Sequence, residues 1–209
     1  MPARRPYHHG NLRRALLDAA LATLEQSGDV TALTMQHIAR RAGVSSGAPY
    51  HHFQDKAELL AALATEGFEQ LIAALASSLA GAPTPRDRVA GFARIYLEFA
   101  AAHAAHYRVM FLPDIGDRRR FAALHDAADR GLQLLVRTLA DAHPGASPDR
   151  LLTRAVTLWS TCHGFAWLRL EGVIANMPVL PDLARVEAAV LTELADAAMR
   201  PLPADTPAR

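Results

Sequence analysis

The chain of 209 residues is poor in several residue types on which particular protein classes depend. Its one cysteine, Cys162, allows no intrachain disulfide and no thiolate zinc cluster. β-Branched residues are few beside the runs of alanine, which favours helix over sheet. We find no internal repeat, no glycine-rich phosphate loop and no convincing strand. These absences leave a helical protein without a nucleotide-binding motif.

Long apolar segments are also lacking. The uncharged run between Arg154 and Arg169 has fourteen residues, too few to span a bilayer, and is better explained as a buried helix. The first residues, MPARRPYHHGN, lack the apolar core of a signal peptide. Apolar residues make up 51% of the chain, which excludes a disordered protein. We therefore expect a soluble, cytoplasmic protein.

The net charge of +1 is small, but the charge is unevenly distributed. Residues 1–56 hold seven Lys/Arg against four Asp/Glu, a net charge of +3, and five of the ten histidines. Residues 57–209 hold fifteen Lys/Arg against seventeen Asp/Glu, a net charge of −2. A basic head on a slightly acidic body predicts that nucleic acid is contacted at the N-terminal end only.

The stretch Thr34–Leu60 predicts two short helices joined by a tight turn, followed by the start of a third helix. Thr34 is a suitable N-cap, and an apolar stripe follows it at helical spacing. Gly43 comes just after the stripe, where a helix ends most easily in a left-handed conformation. Ser45 and Ser46 can cap the second helix. This is the layout of a helix-turn-helix, although an ordinary αα-corner would show the same pattern.

Specific residues of this stretch form a signature, which covers about the first quarter of the chain together with a preceding helix from near residue 11. They are Thr34, Ile38, Ala39, Ala42, Gly43, Val44, Ser45, Gly47, Tyr50, His51, His52, Phe53, Lys56, Leu59 and Leu60. This set resembles the DNA-binding signature of TetR-family transcriptional regulators. The resemblance implies an all-α fold, in which an N-terminal three-helix helix-turn-helix DNA-binding domain precedes a larger helical effector-binding and dimerisation domain.

One position departs from the commonest family pattern, because Pro49 stands where Leu or Ile is frequent. Proline lacks an N–H and fits only the first turn of a helix, so we expect the recognition helix to begin at about Ser45 or Ser46. The side chains and small residues there suit phosphate and base contacts. The predicted DNA contacts are Thr34, Ser45, Ser46, Gly47, Ala48, Tyr50, His51, His52 and Lys56, with Arg4 and Arg5.

The chain is predicted to fall into four parts. We expect a flexible basic arm at residues 1–10, a helix-turn-helix DNA-binding domain at 11–56, a helical ligand-binding and dimerisation domain at 57–200, and a disordered tail at 201–209. No linker separates the two larger parts, so motion in one should reach the other.

The last two predicted helices indicate a homodimer. The helix after Ser147 is apolar around most of its circumference from Ala155 to Leu168, so it must be covered on more than one side. The final helix is rich in alanine, which allows close helix approach. The two helices could form a four-helix bundle across a two-fold axis, which suits a palindromic operator in double-stranded DNA. The candidate interface residues are Leu158, Phe165, Val186, Val190 and Leu194.

Trp159 and His163 share one face of the same helix. With Gly164 they resemble the Trp…His-Gly stretch of one subgroup of TetR-type C-terminal domains. The resemblance implies a small effector that releases DNA, and the aromatic content suggests a mostly apolar one. Most of these side chains could equally be plain core. The candidate ligand-binding residues are Tyr96, His103, Tyr107, Met110, Phe111, Phe121, Trp159, His163 and Trp167.

Other functions have weaker support. A metal sensor could use His103 and His106 with His125 or His163, but no Glu-x-x-His motif accompanies them. A redox switch at Cys162 would place a thiol in an apolar segment, where thiols are normally inert. A small helical enzyme would need a serine elbow or a Cys-His-Asp order, and neither is present. The prediction is therefore a ligand-responsive repressor without cofactor, metal or catalytic activity.

Overall fold

The computed structural model describes residues 12–179 and 182–202, and all the regular elements within these ranges are helical. The predicted all-α class is confirmed. The predicted contacts Arg4 and Arg5 lie outside the described residues, as does most of the predicted tail. The α-helices are α1 Leu12–Ser27, α2 Met35–Arg41, α3 Lys56–Leu79, α4 Pro85–Ala102, α5 Ala104–Met110, α6 Ala122–Ala142, α7 Pro148–Leu170 and α8 Leu183–Met199; 3₁₀ turns cover Val30–Ala32, Ala48–His51 and Pro113–Ile115.

The chain forms two compact units that are not simple successive blocks of sequence. The N-terminal unit comprises the residues up to Gly67 together with Ala105–Leu124, which we call the 105–124 segment. The C-terminal unit comprises Phe68–Ala104 and the residues from His125 onward. The sequence suggested one boundary, after residue 56. The 105–124 segment is the part of the chain that such a single boundary cannot accommodate.

Helix α2 has well-defined ends. The Thr34 hydroxyl accepts the His37 N–H at 3.1 Å and caps the first turn, as the sequence predicts. Met35, Ile38 and Ala39 face inward and are buried. Gly43 follows with a φ of +72°, a conformation that other residues adopt at a cost. These local features fix the corner between α2 and the next turn.

The 105–124 segment packs closely on α3 within the N-terminal unit. A Cβ added at Gly67 would lie 2.8 Å from Met110 Sδ and 3.2 Å from His106 Cβ. A side chain at position 67 of α3 would therefore force Met110 and His106 to shift. Glycine costs about 1 kcal/mol relative to alanine in mid-helix, so the close approach gives a reason for its presence.

In the C-terminal unit α4 packs against both α7 and α8. The end of α8 is held by basic side chains from other elements. Arg154 donates to the Ala197 carbonyl, and His143 Nε2 donates to the Ala198 carbonyl at 2.7 Å. A helix leaves its last carbonyls without partners inside the helix, and donors near a C-terminus also complement the helix dipole.

One described helix, α3, is long and apolar enough to cross a membrane by length and composition alone. Half of the stretch concerned is buried within the protein. The core helix of a soluble protein meets the same criterion, so the observation is weak evidence for a membrane span.

The crossing at Gly67 can be tested by Gly67→Ala. We expect a loss of about 1–3 kcal/mol in the free energy of unfolding, because the new methyl group meets Met110 and His106. Gly131→Ala is the matched control, since its Cβ would meet only Ile72 Cγ1 at 3.7 Å. That variant should gain up to about 1 kcal/mol from helix propensity. Urea unfolding would measure both, and equal stabilisation by the two substitutions would contradict the close crossing.

Candidate functional site

The predicted recognition helix is a single 3₁₀ turn, Ala48–His51, which we call the recognition turn. The Ala48 N–H donates to the Ser45 carbonyl at 3.0 Å, and the Tyr50 N–H donates to Gly47 at 3.2 Å. Pro49 has no N–H, so the chain cannot make the bond from this residue that an α-helix starting at Ser45 would contain. The expected start near Ser45 or Ser46 is therefore corrected to Ala48.

The recognition turn and its approach present an open polar surface. Tyr50 is 54% exposed, and Pro49 beside it is buried. A Cβ at Gly47 would have nothing within 4 Å, so the backbone there is accessible to a large partner. Of the predicted DNA contacts that the structure describes, the exposed ones are Thr34, Ser45, Ser46, Gly47, Tyr50 and His51, and the half-buried ones are Ala48, His52 and Lys56.

Lys56 has a structural partner that the sequence did not reveal. Its ammonium group donates to the Val30 carbonyl at 2.7 Å and so ties the start of α3 to the 3₁₀ turn after α1. An ammonium group has three donors, and this bond uses one of them. Lys56 can therefore support the fold and still contact an anion.

Several arginines around the recognition turn are already engaged. Arg13 lies over the Phe53 ring with 5.2 Å between its guanidinium carbon and the ring centroid. Arg41 donates to Gln26 at 2.8 Å. Arg14 is bonded to Asp18 and Glu66, which raise the pKa of its guanidinium. These partners reduce the charge available for an anion, which a count of basic residues cannot show.

A second candidate site lies in the C-terminal unit. It consists of Tyr96, Trp159 and His163, which we call the Tyr96 cluster. Trp159 Nε1 donates to the Tyr96 hydroxyl at 3.0 Å, and that hydroxyl is 2.9 Å from His163 Nδ1. A phenol has one proton, so a Tyr96 that accepts from Trp159 can donate to His163. Tyr96 is only 2% exposed, and burial lowers the pKa of His163. The arrangement favours a neutral imidazole that accepts at Nδ1.

The nine candidate ligand-binding residues are divided between the two units. The C-terminal unit holds Tyr96, His103, Trp159, His163 and Trp167, and the N-terminal unit holds Tyr107, Met110, Phe111 and Phe121. Within the first group Trp167 stacks on His163 with 6.2 Å between ring centroids, which extends the Tyr96 cluster. His103 instead stacks on Phe99 at 4.7 Å and is exposed.

The N-terminal members of the candidate set have packing partners of their own. Tyr107 is fully buried and meets the edge of Phe111 with 5.3 Å between ring centroids. Met110 packs at the Gly67 crossing, and Phe121 is buried beneath the guanidinium of Arg120. These contacts are those of core residues.

The candidate dimer residues mostly face the interior of the C-terminal unit. Leu158, Phe165 and Leu194 are buried within the C-terminal unit, and Val186 and Val190 are half-buried. The outer face of α7 carries a different set at a spacing of four residues, namely Leu152, Val156, Ser160, Gly164 and Leu168. Because α7 is apolar around most of its circumference, the sequence pattern does not indicate which apolar face of the helix is buried.

The described residues show neither a three-residue metal site nor an exposed thiol. Within residues 12–179 and 182–202, no group of three His, Cys, Asp or Glu side chains could hold a metal ion. The Cys162 thiol is buried and contacts the Ala93 carbonyl at 3.8 Å. Burial raises its pKa to about 12, so the reactive thiolate is scarce at neutral pH.

Both halves of the chain match models of known protein families. Residues 16–63 match the model described as bacterial regulatory proteins, tetR family. Residues 89–194, about half of the chain, match the model described as the tetracyclin repressor-like C-terminal domain. The matches cover the recognition turn and the Tyr96 cluster respectively.

Individual proteins are similar over different lengths. The HTH-type transcriptional regulator BetI of Rhizobium meliloti (strain 1021) is 39% identical over 83 residues, and the chain spans only 40% of the length of that relative. A solved structure from Rhodococcus sp. RHA1, titled a protein with unknown function, is 34% identical with a TM-score of 0.72 and covers 95% of this chain and 99% of its own.

A third similarity is one of fold alone. FadR from Bacillus subtilis, solved in complex with stearoyl-CoA, is 17% identical with a TM-score of 0.68, over 88% of this chain and 98% of its own.

The burial of His163 should make the free energy of unfolding depend on pH. Burial lowers the pKa of His163 below its unfolded value of about 6.5, so the unfolded state binds more protons. The stabilisation is thus complete above about pH 6.5 and declines as the pH falls towards the folded pKa. His163→Gln keeps a hydrogen-bond acceptor at this position but removes the group that binds a proton. Urea unfolding at pH 8 and pH 5 would measure both proteins, and the free energy of unfolding of the wild type should exceed that of the variant by less at pH 5 than at pH 8. The same excess at both pH values would contradict the lowered pKa of His163.

Proposed function

The chain belongs to the tetR family of bacterial regulatory proteins, and we propose that it is a DNA-binding transcriptional regulator that acts in the cytoplasm and has no enzymatic activity. The observation that carries this proposal is the recognition turn, where Tyr50 projects from an otherwise well-packed corner. An exposed tyrosine next to His51 adds little to the packing of the protein itself, and both side chains suit contact with a nucleic acid.

The proposed contacts follow from position and chemistry. Tyr50, His51 and Lys56 carry donors suited to phosphate oxygens, and they come after the turn begins. Ser46 and Ala48 are small and precede Tyr50, which makes them candidates for the base edges. Thr34 can donate its hydroxyl proton to phosphate while its oxygen accepts from His37. The turn would thus be positioned by the backbone of the operator and read bases with few side chains.

We also propose a homodimer, with the seam moved to the outer face of α7. Within one subunit, a Cβ at position 164 would have nothing within 4 Å. Packing inside the subunit therefore does not explain why this residue is a glycine. A glycine in mid-helix costs about 1 kcal/mol, and a close approach by a second subunit would explain it. Val156 and Leu168 on the same face are exposed apolar residues. Two subunits would present two recognition turns about 34–36 Å apart to a palindromic operator.

The effector proposed for the C-terminal unit is small and mostly apolar. FadR from Bacillus subtilis was solved with stearoyl-CoA, and KstR2 of Mycobacterium tuberculosis is titled a ketosteroid transcriptional regulator. Here the aromatic faces of Trp159 and Trp167 would supply apolar contact, and His163 one polar point. The effector would release DNA only if it binds the released form more tightly, with a typical coupling of about 1–3 kcal/mol.

The DNA proposal is tested with Lys56→Met, which keeps the aliphatic stem and removes the charge. A duplex selected from genomic fragments by the wild-type protein serves as the probe in fluorescence anisotropy. We expect weaker binding to every sequence, and the slope of log K against log salt to fall by about 0.9 per protomer. The lost bond to Val30 should lower the free energy of unfolding by about 1 kcal/mol.

Tyr50→Phe is the companion variant, since it removes one exposed hydroxyl and leaves the packing intact. It should weaken binding without a change in stability. Failure of the wild-type protein to bind any genomic duplex would refute the proposed function. Unchanged affinity and salt slope in both variants would refute only these contacts.

The dimer is tested by Val156→Arg, which places a charge on the proposed seam. We expect sedimentation at micromolar concentration to show a dimer for the wild type and a folded monomer for the variant, because Val156 is exposed in the protomer. Ala101→Arg adds the same charge at an exposed position of α4 and should remain dimeric. A wild-type monomer, or monomers from both variants, would contradict the seam.

A further inference from the structure

The 105–124 segment contributes to the N-terminal unit although it lies far from the helix-turn-helix in sequence. It falls inside the stretch that matches the C-terminal domain model, residues 89–194. Yet its Met110 meets the α3 backbone at Gly67, and Arg108 Nη1 would lie 3.8 Å from a Cβ at Gly28, just past the end of α1. The segment is therefore part of the body that carries the recognition turn.

The segment is basic. Residues 105–124 hold four arginines against two aspartates, and three of the arginines are consecutive, Arg118, Arg119 and Arg120. All three are exposed. The sequence signature of the helix-turn-helix ends at Leu60, long before this cluster, so the sequence pattern alone gives no link between the cluster and DNA.

Two carboxylates fix the cluster in place. Asp117 Oδ1 accepts the backbone N–H groups of Arg119 at 2.9 Å and Arg120 at 3.3 Å. The Arg120 guanidinium donates to Asp55 Oδ2 at 2.5 Å and lies over the Phe121 ring. This bond lowers the pKa of Asp55 and raises that of Arg120, so both groups stay ionised at neutral pH.

Asp55 places the cluster beside the proposed DNA surface. It immediately precedes Lys56 and comes three residues after His52, both of which are proposed DNA contacts. Arg119 is the neighbour of Arg120 in the chain, with Cα atoms about 3.8 Å apart. A cation on Arg119 is thus held one residue from a group that touches the start of α3.

Arg119 differs from the other arginines near the recognition turn in having its charge available. Its side chain makes no hydrogen bond or ion pair with any residue in the part of the chain that the structure describes. Arg14, Arg41 and Arg120 are each bonded to a neighbouring side chain. A guanidinium fork matches phosphate in a bidentate manner.

We infer that Arg119 contacts a phosphate of the operator backbone, so that the 105–124 segment supplies a DNA contact from outside the helix-turn-helix. The inference rests on the proposed function. Its partner is the sugar–phosphate backbone rather than the bases, because an exposed arginine on a loop has no groove-entering element to carry it. The contact should add affinity for any sequence and no sequence preference.

The test is Arg119→Ala on the duplex selected by the wild-type protein, measured over a series of salt concentrations. The slope of log K against log salt should fall by about 0.9 per protomer, and affinity at low salt by about two- to fivefold. Arg119→Lys keeps the charge and should retain the wild-type slope. An unrelated duplex should show the same loss of slope as the selected one.

Arg137→Ala is the matched control, since it removes one exposed arginine from the C-terminal unit. It should leave the slope unchanged. If Arg119→Ala keeps the wild-type salt slope while Lys56→Met lowers it as expected, the inference fails and the proposed function stands. An equal loss of slope in Arg119→Ala and Arg137→Ala would overturn it too, because net charge alone would then explain the effect. Absence of binding by the wild-type protein would refute the proposed function itself.

Discussion

The N-terminal unit depends on the carboxylate of Asp55. One oxygen accepts the Glu58 N–H at 3.0 Å and so begins α3 directly after the recognition turn. The other accepts from Arg120 in the 105–124 segment. Glu58 accepts the N–H of Gln54, the residue before Asp55, at 2.6 Å. A single side chain thus determines where the longest helix starts and where a distant basic segment is held.

Because of this double use, the Asp55 carboxylate should contribute more to stability than a carboxylate in an exposed ion pair normally does. Exposed pairs contribute only about 0–1 kcal/mol on average, because water screens them. Here the same carboxylate also satisfies a backbone N–H that would otherwise lack a partner within the helix. Loss of Asp55 would therefore fray α3 at the end that carries Lys56. Loss of Arg120 would leave the cap in place and release only the segment.

Features encoded by neighbouring residues could be predicted from the sequence. The cap at Thr34, the glycine at position 43 and the cap at Asp55 act within a few residues of each other, so their spacing is informative. The same is true of the Trp159–His163 pair, which lies on one helical face. For these elements the sequence pattern and the structure agree.

Features that depend on distant parts of the chain could not be predicted. The packing of α7 against α4 and α8 determines which of its faces is buried. Leu158 and Phe165 lie on that buried face, although the sequence pattern makes them candidates for a dimer interface. The position of the 105–124 segment depends on the Gly67 crossing and on Asp55, which lie 38 residues or more before its start. Pro49 indicates an unusual helix start, but the 3₁₀ geometry of Ala48–His51 also depends on the surrounding backbone, which the sequence does not show.

The Tyr96 cluster shows why an aromatic group of this kind is hard to classify from sequence. Three of its polar atoms are hydrogen-bonded to one another, with Trp159 donating to Tyr96 and Tyr96 placed to donate to His163. A self-satisfied network is stable without a ligand, as a core requires. An effector that hydrogen-bonds His163 at Nδ1 would have to displace the Tyr96 hydroxyl and so replace an existing hydrogen bond. Apolar contact with the exposed part of Trp167 carries no such cost.

The low overall charge bears on how such a protein could both bind and leave DNA. With a net charge of only +1, general attraction of the whole chain to the polyanion is weak, so binding must come from a few placed cations. In a two-fold dimer every contact occurs twice, so a factor of two lost per protomer becomes about fourfold for the complex by simple additivity of free energies. A coupling of about 1–3 kcal/mol from an effector is then comparable with the contribution of several such contacts. If binding depends on few contacts and each occurs in both subunits, a modest change in either subunit would alter the affinity for DNA strongly.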